Sequence, residues 1–428
     1  RREILATFLL ARGQNIGKPN RTSASNPTWY PHENQNLLQL HWQEKNVWGD
    51  GGVTFHFFAN PNFLETRADK IAGFKSQESY SKTESTDYGA QLALDRKVVS
   101  HFRITAGLDW YGRTGAGAVN IDKYFDGQGT VTKTFEEHPY VEGNRKDVGF
   151  FFSGDYDGLK NLDLVAGVRL DLLSSRANPG GGREVSRNTD QALTGFLAGS
   201  VKLAEKFVVF ANVSRAYRAP DLNERFYTGI TGRGFIIANP GLTPESSLSL
   251  DAGLKFIEKR FFAGLYAFSY LIKDMIERYR VAERTYAYGN IEKGRVRGIE
   301  LEWQYFPWSG FSVFGNWMLV DGQSLKSGIP LNDIPPRRLY IGSRVWVGRL
   351  SFEAEAAFQR EKGDPGPAEI SIPQARYVNL KASYFLAPAV NFHFSLSNLF
   401  DESYLARPDP ESMEEPGRNF VFGISYSF

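Results

Sequence analysis

The strongest constraint on this chain is an alternation of side-chain character with a period of two residues, repeated along most of its length. In the last segment Phe420, Phe422, Ile424, Tyr426 and Phe428 fall on one face, and Val421, Gly423, Ser425 and Ser427 on the other. Successive side chains of a strand point to opposite faces, so this reads as a strand with one aromatic face and one small or polar face. Leu162, Leu164, Ala166, Val168 and Leu170 repeat the pattern, as do Leu248, Leu250, Ala252, Leu254 and Phe256. Elsewhere Ile299, Leu301, Trp303 and Tyr305 alternate with Glu300, Glu302 and Gln304. No segment of similar length shows the 3.6 period of a helix, so almost no helix is expected.

The same reading places about 18 strands, at 2–12, 35–45, 52–60, 87–96, 99–111, 146–157, 160–173, 191–203, 206–215, 246–257, 260–280, 285–306, 310–320, 336–347, 350–360, 374–386, 389–397 and 419–428. Their connections alternate in length, except that one long-side connection, near 281–284, looks short. Asp157–Leu159, Ala204–Glu205, Glu258–Lys259, Gly348–Arg349 and Ala387–Pro388 are tight, whereas 13–34, 61–86, 112–145, 174–190, 216–245, 321–335, 361–373 and 398–418 are long. A meander with tight turns at one end and long connections at the other is the layout of an outer-membrane β-barrel, with its tight turns in the periplasm. An even strand number puts both termini at the periplasmic end. The apolar face then meets lipid and the charged face lines a wet lumen.

Composition sharpens this. The 33 Phe, 20 Tyr and 8 Trp are 14% of the residues, yet mean hydropathy is negative and no run reaches the length of an apolar spanning helix. That excludes helical spans only. There is no cysteine, which removes disulfides, thiolate metal sites and cysteine nucleophiles. A net charge of +2 gives no case for nucleic acid. The rival architecture is a soluble sandwich or propeller. It would show repeats of about 40–50 residues, and none is found. It would also bury Glu300, Glu302, Glu353, Glu355 and Lys381 in a dry core.

Several short motifs, in order, resemble a TonB-dependent outer-membrane receptor. Ser214-Arg215-Ala216-Tyr217-Arg218-Ala219-Pro220 is followed by Asn239-Pro240-Gly241-Leu242-Thr243-Pro244-Glu245. Asn290 with Gly298-Ile299-Glu300-Leu301-Glu302, then Ile334-Pro335-Pro336-Arg337-Arg338, Asn398-Leu399-Phe400-Asp401 and the terminal Phe428 complete the set. Near the start, Asn15–Asn20 and Tyr30-Pro31 resemble an early extracellular loop. The resemblance implies a barrel of about 22 strands preceded by a plug that contacts TonB. About 18 strands are read here, the chain opens on Arg1 in what reads as a strand, and no plug is recognised. The expectation is therefore one incomplete receptor barrel over residues 1–428, cut from a longer protein, monomeric, with the coupling element outside it. The last strand, with Ile424, Tyr426 and Phe428, resembles the insertion signal read by the barrel-assembly machinery.

Catalytic motifs are lacking: no Gly-x-Ser-x-Gly, no His-Glu-x-x-His and no phosphate loop is present. His41, His56, His101 and His393 sit within strands, and His32 and His138 on long connections. No metal site and no resident cofactor are expected. Haem receptors of this family carry a histidine between the Arg-Ala-Pro motif and the Asn-Pro box, and the interval Asp221–Ala238 has none. It holds Arg225, Tyr227, Arg233 and Phe235 instead. Cations and aromatic rings at a pore mouth suit an anionic ferric siderophore. Trp29, Tyr30, His32, Tyr111, Arg113 and Tyr124, near other loop tips, join the candidates. Trp110, beside Tyr111, belongs with them or with the aromatic girdle of a barrel. The leading expectation is TonB-energised uptake of a ferric-siderophore-type chelate. A cobalamin or other metal-complex receptor, a passive porin and an outer-membrane hydrolase are the alternatives.

Overall fold

A computed structural model of the protein describes residues 2–18, 24–179, 184–231, 234–283, 285–291, 293–409 and 412–427. Among these residues the chain forms strands β1 (Arg2–Gly17), β2 (Thr28–Lys45), β3 (Gly51–Ala72), β4 (Phe74–Val99), β5 (Phe102–Phe125), β6 (Val131–Leu159), β7 (Leu162–Asn178), β8 (Ser186–Ala204) and β9 (Phe207–Arg218). A five-residue helix α1 (Leu222–Phe226) and the short strands β10 (Gly229–Thr231) and β11 (Gly234–Ile237) follow. Then come β12 (Glu245–Ile257), β13 (Phe261–Lys273), β14 (Ile276–Ala282), β15 (Thr285–Asn290), β16 (Gly294–Trp308), β17 (Phe311–Ser324) and β18 (Arg338–Val347). The chain ends with β19 (Leu350–Gln359), β20 (Ala375–Ala387), β21 (Val390–Ser397) and β22 (Asn419–Tyr426). No helix of the described residues is long and apolar enough to cross a membrane, a statement that does not bear on strands.

The chain divides into two compact units. One comprises Arg1–Leu197, Ser214–Ser247 and Lys273–Ile291, and the other Ala198–Val213, Leu248–Ile272 and Glu292–Phe428. In the first, β1 to β7 pair in chain order, each antiparallel to the next. In the second, β13 pairs with β16, and β16 to β22 continue as an antiparallel meander. Each of the 18 long strands overlaps one read from the sequence, with several extending well beyond it.

Register confirms the two faces. Leu265, Leu301, Trp317, Leu339 and Phe358 are directly opposite one another in successive strands, so they share one face. Leu265, Trp317 and Phe358 there are exposed, as expected of residues that meet lipid. The other face is polar and internally bonded: Glu353 accepts from Lys381 at 2.9 Å and pairs with Arg344, and Tyr266 donates to Glu302. At Gly298, opposite Phe268, an added Cβ would lie 2.4 Å from the Phe268 ring, so glycine here makes room for an aromatic on the neighbouring strand. Ile424 and Tyr426 are exposed on β22, and Phe428 lies outside the described residues.

Two long connections are not loops. Residues 61–86 belong to a hairpin in which β3 and β4 pair as far as Ala72 and Phe74, turning on Gly73 at φ +74°. Residues 112–145 are likewise the paired ends of β5 and β6. Period two is lost in 62–70 because Asn62, Glu65, Thr66, Arg67, Asp69 and Lys70 are polar on both faces. A spanning strand needs only about 9–11 residues, so beyond the bilayer both faces of a strand are wet. The expected strands 260–280 and 285–306 are each broken in two. Asp274 adopts a left-handed φ of 53° there, and β14 and β15 form a hairpin of their own.

Candidate functional site

At the long-connection end of the first unit, the paired ends of β3, β4 and β5 form a wall. Register sets three rows on one face: Lys70–Gln77–Tyr124, Ala68–Ser79–Asp122 and Thr66–Ser81–Asn120. Facing this wall is a roof made from the β9–β12 connection and the β14–β15 hairpin. β10 pairs with β11, β11 pairs in parallel with β15 (Phe235 opposite Thr285), and β15 pairs with β14. Between wall and roof lies a cavity of about 820 Å³, lined by these rows and by Lys18, Tyr227, Ile230, Ile236, Arg278 and Tyr288.

The receptor-like motifs hold the roof in place. Pro220 is fully buried, and Asp221 caps α1 by accepting from Glu224 N at 2.7 Å while the Glu224 carboxylate accepts from Asp221 N at 2.8 Å. Arg218 bonds Glu224 at 3.0 Å and Glu245 at 2.7 Å, tying the Arg-Ala-Pro motif to the end of the Asn-Pro box. Asn239 makes a turn by accepting from Gly241 N at 3.0 Å and donates to Tyr288 O at 2.9 Å. Asn120 is the joint between wall and roof: its amide donates to Ile230 O at 3.1 Å and lies 3.2 Å from the Tyr227 hydroxyl. Burial pushes the Tyr227 phenol above its ordinary range, so it stays protonated and donates to Ile230 O at 2.7 Å.

The candidates from the sequence divide into three groups. Tyr124 and Tyr227 line the cavity. Tyr30 stands beside it, with the Lys18 ammonium 5.3 Å from its ring centroid. Trp29, under Arg67 at 5.2 Å, belongs to the other face of the hairpin. His32 bonds Glu65 at 2.6 Å, and Tyr80 donates to the same carboxylate at 2.7 Å. Burial alone would raise the Glu65 carboxyl, but these bonds outweigh it and hold it below the usual range. Tyr80, by burial and its bond to Glu65, is pushed up to about 12.

The third group is engaged elsewhere. Tyr111 and Arg113 both bond Asp87, at 2.9 and 2.6 Å, within the wall. Arg225 is 1% exposed: it grips Asp190 at 2.8 Å, Ser175 Oγ at 3.0 Å and Leu242 O at 2.7 Å, so it braces the roof from inside. Phe235 lies on the opposite face of β11 from the cavity-lining Ile236. Arg233 lies outside the described residues.

Lys70, Asp122 and Arg278 were not singled out in the sequence, because the stretches that carry the first two read as unstructured loop. Arg278 stacks over Tyr286 at 4.9 Å. Among the described residues the Lys70 ammonium and the Tyr124 phenol, neighbours through Gln77, have no hydrogen-bond or ionic partner. The arrangement presents cations and aromatic hydroxyls to one space, the chemistry that receives an anionic ligand with planar parts. No histidine lines it, and the described residues contain no cluster of three or more His, Cys, Asp or Glu able to hold a metal.

Residues 5–399 match the family model described as "TonB dependent receptor-like, beta-barrel". The heme/hemopexin utilization protein C of Haemophilus influenzae (strain 86-028NP) is 27% identical over 411 residues, covering 86% of this chain and 54% of that protein. This chain thus spans about half the length of that relative. Among solved structures, the copper transporter OprC superposes with a TM-score of 0.80 at 19% identity, over 94% of this chain and 66% of that one. The ferric citrate transporter FecA in its unliganded form gives 0.74 at 13% identity, over 99% and 66%. At such identities the structures speak for the fold alone. With strand order, two-faced register, motif placement and the family match in agreement, the chain belongs to the TonB-dependent receptor-like β-barrel family of the Gram-negative outer membrane.

Proposed function

We propose that this barrel serves a receptor for energised uptake of an anionic iron chelate, with haem as the first ligand to test. The observation that carries the reading is the cavity, where Lys70, Arg278 and Tyr124 face one space at the long-connection end. That end is read as extracellular and the termini as periplasmic, with residues 1–428 a single barrel domain. Haem comes first because the heme/hemopexin utilization relative aligns along 86% of the chain. Haem propionates suit Lys70 and Arg278. The lack of histidine in the roof bears on which side chain meets the iron, and tyrosine is an established haem ligand. A ferric siderophore is the second reading, favoured by the same absence of histidine from the lining. In either case energy would come from TonB through a coupling region, and β22, with Ile424 and Tyr426, would be read during assembly.

A deletion strain starved of free iron tests this. Growth on haemin should fail and return with the intact gene, while growth on ferric salts stays normal. Normal growth on haemin with loss of growth on one ferric siderophore would move the assignment to the second reading. No phenotype on any chelate would overturn both.

A further inference from the structure

In the first unit the apolar face runs through Trp42, Phe55, Leu92, Leu108 and Phe150, which stand directly opposite one another from β2 to β6. His41 and His56 are each one residue off that row, so both belong to the opposite, polar face. They are fifteen residues apart in the chain, yet register sets them directly opposite each other on β2 and β3. Cβ atoms of such a pair are about 4.5–5.5 Å apart, and the two ring centroids are 6.3 Å apart. Both residues are half-buried. Among the described residues neither imidazole has a hydrogen-bond or ionic partner.

The rows around this pair hold no positive charge. Along β1 to β4 they read Thr7–Gln39–Phe58–Gly89, Leu5–His41–His56–Gln91 and Glu3–Gln43–Thr54–Ala93. Glu3 is the one charged residue in them, so no Lys or Arg repels a cation there. Phe58 lies over Gly89, where an added Cβ would be 2.5 Å from the ring, and its centroid is 6.3 Å from that of His56. It closes the long-connection side of the pair. With metal–nitrogen distances of about 2.0–2.1 Å, two imidazoles that share one ion have centroids about 4.5–6.4 Å apart, as the angle at the metal opens from about 90° to about 180°. The separation of 6.3 Å falls within that span. Rotation about χ2, which sets the nitrogen that faces the ion, is opposed by no hydrogen bond.

We propose that His41 and His56 form a two-imidazole site for a divalent transition-metal ion, which clips β2 to β3 across the polar face. Water fills the remaining coordination positions, with the amides of Gln39, Gln43 and Gln91 around the pair to hold it. Imidazole selects copper(II), nickel(II) and zinc(II) over magnesium and calcium, and of the three copper(II) binds tightest. Cuprous ion is disfavoured, because the chain has no cysteine and β1 to β4 carry no methionine. The site is separate from the chelate cavity. Neither histidine lines that cavity, and the ten residues from His56 to Thr66, which does, extend about 33 Å along β3. The inference therefore stands apart from the uptake reading.

The test uses the receptor extracted from its own outer membrane and stripped of metal with a chelator. Copper(II), nickel(II), zinc(II) and magnesium chlorides are titrated by calorimetry, and the copper-loaded protein is read by electron paramagnetic resonance. Copper(II) should bind tightest and magnesium not at all, and the copper spectrum should show two nitrogen ligands. His41→Gln and His56→Gln should each weaken copper(II) binding about a hundredfold, the loss expected when one of two linked ligands is removed. Each should also leave a single nitrogen in the spectrum. His393→Gln, whose native ring lies against Gly423 on β22, should change neither readout. A measurement on the native protein covers the case of a variant that does not fold: copper(II) should protect both His41 and His56 from carbethoxylation by diethyl pyrocarbonate. Copper(II) affinity unchanged in both glutamine variants overturns the proposal, as does equal modification of His41 and His56 with and without copper(II). No chelate uptake enters these measurements, so failure of the uptake reading and failure of this one are separate results.

Discussion

Asn290 holds the peptide groups of Thr243 from both sides: Thr243 N donates to its Oδ1 at 2.9 Å, and its Nδ2 donates to Thr243 O at 2.9 Å. The same Nδ2 reaches Asp274 O at 2.7 Å. One side chain thus acts as a short strand partner for the Asn-Pro box and ties it to the β13–β14 break. Asn290→Ala should loosen the roof, costing about 1–2 kcal/mol for the exposed bonds. Asn290→Asp should cost at least as much, because a carboxylate cannot donate to two carbonyls. Limited proteolysis at 219–244 checks both, with aspartate no better protected than alanine.

Arg225 predicts a larger effect. Replacing it with Met removes a buried guanidinium and leaves Asp190 without its bidentate partner, a loss of about 3–5 kcal/mol when one half of a buried pair is removed. Arg225→Lys should rescue little, since one ammonium cannot reach Asp190, Ser175 and Leu242 O together. Thermal unfolding of the purified barrel is the measurement. Arg225→Met combined with Asp190→Asn should recover part of the loss.

Lys70 and Tyr124 predict the opposite pattern. Lys70→Gln and Tyr124→Phe should leave thermal stability within about 0.5 kcal/mol, because neither group bonds another described residue. Each should weaken chelate binding about tenfold, the worth of one charge-assisted or phenolic bond. Equilibrium binding with haemin and with a ferric siderophore separates the two ligand classes. Unchanged affinity for every chelate would remove the cavity as the site.

The Glu65–Tyr80 bond has its own pH window. Glu65 is held below its ordinary 4.5, so its contribution is present above that value and fades as pH falls through the lowered one. Tyr80 is raised from 10.0 to about 12, so its contribution is full below 10.0 and is lost as pH climbs through about 12. The difference in tyrosinate absorbance between native protein and Tyr80→Phe should therefore show a step near 12. In Glu65→Gln that step should move back toward 10.0. A step already near 10.0 in the native protein would contradict the bond.

The sequence made the spanning strands legible because a bilayer on one side and water on the other force period two. Ile299, Leu301 and Trp303 alternate with Glu300 and Glu302 because one face of their strand meets an apolar medium and the other water. It concealed the cavity for the same physical cause. Above the bilayer, Glu65, Thr66 and Arg67 all meet water, so nothing in the pattern distinguishes a long paired hairpin from a loop. Its place between the Arg-Ala-Pro motif and the Asn-Pro box singled out Arg225 as a cation near the mouth, but only three-dimensional contacts reveal that Asp190 and Leu242 O already occupy it. Tyr124 was recognisable as an aromatic near a turn, whereas Lys70 needed the register with Gln77 to be placed beside it.

The parallel pairing of β11 with β15 sets an order of events. These strands are about fifty residues apart in the chain, with β12, β13 and β14 made between them. Parallel pairs lack the tight turn that zips an antiparallel hairpin, and closing so long a loop is slow. The roof can form only after β12, β13 and β14 have been made between its two partners, so the ligand-ready mouth appears after the wall. A chain that stops short of β15 has a wall but no pocket, so a competent mouth reports that β11 to β15 are all in place.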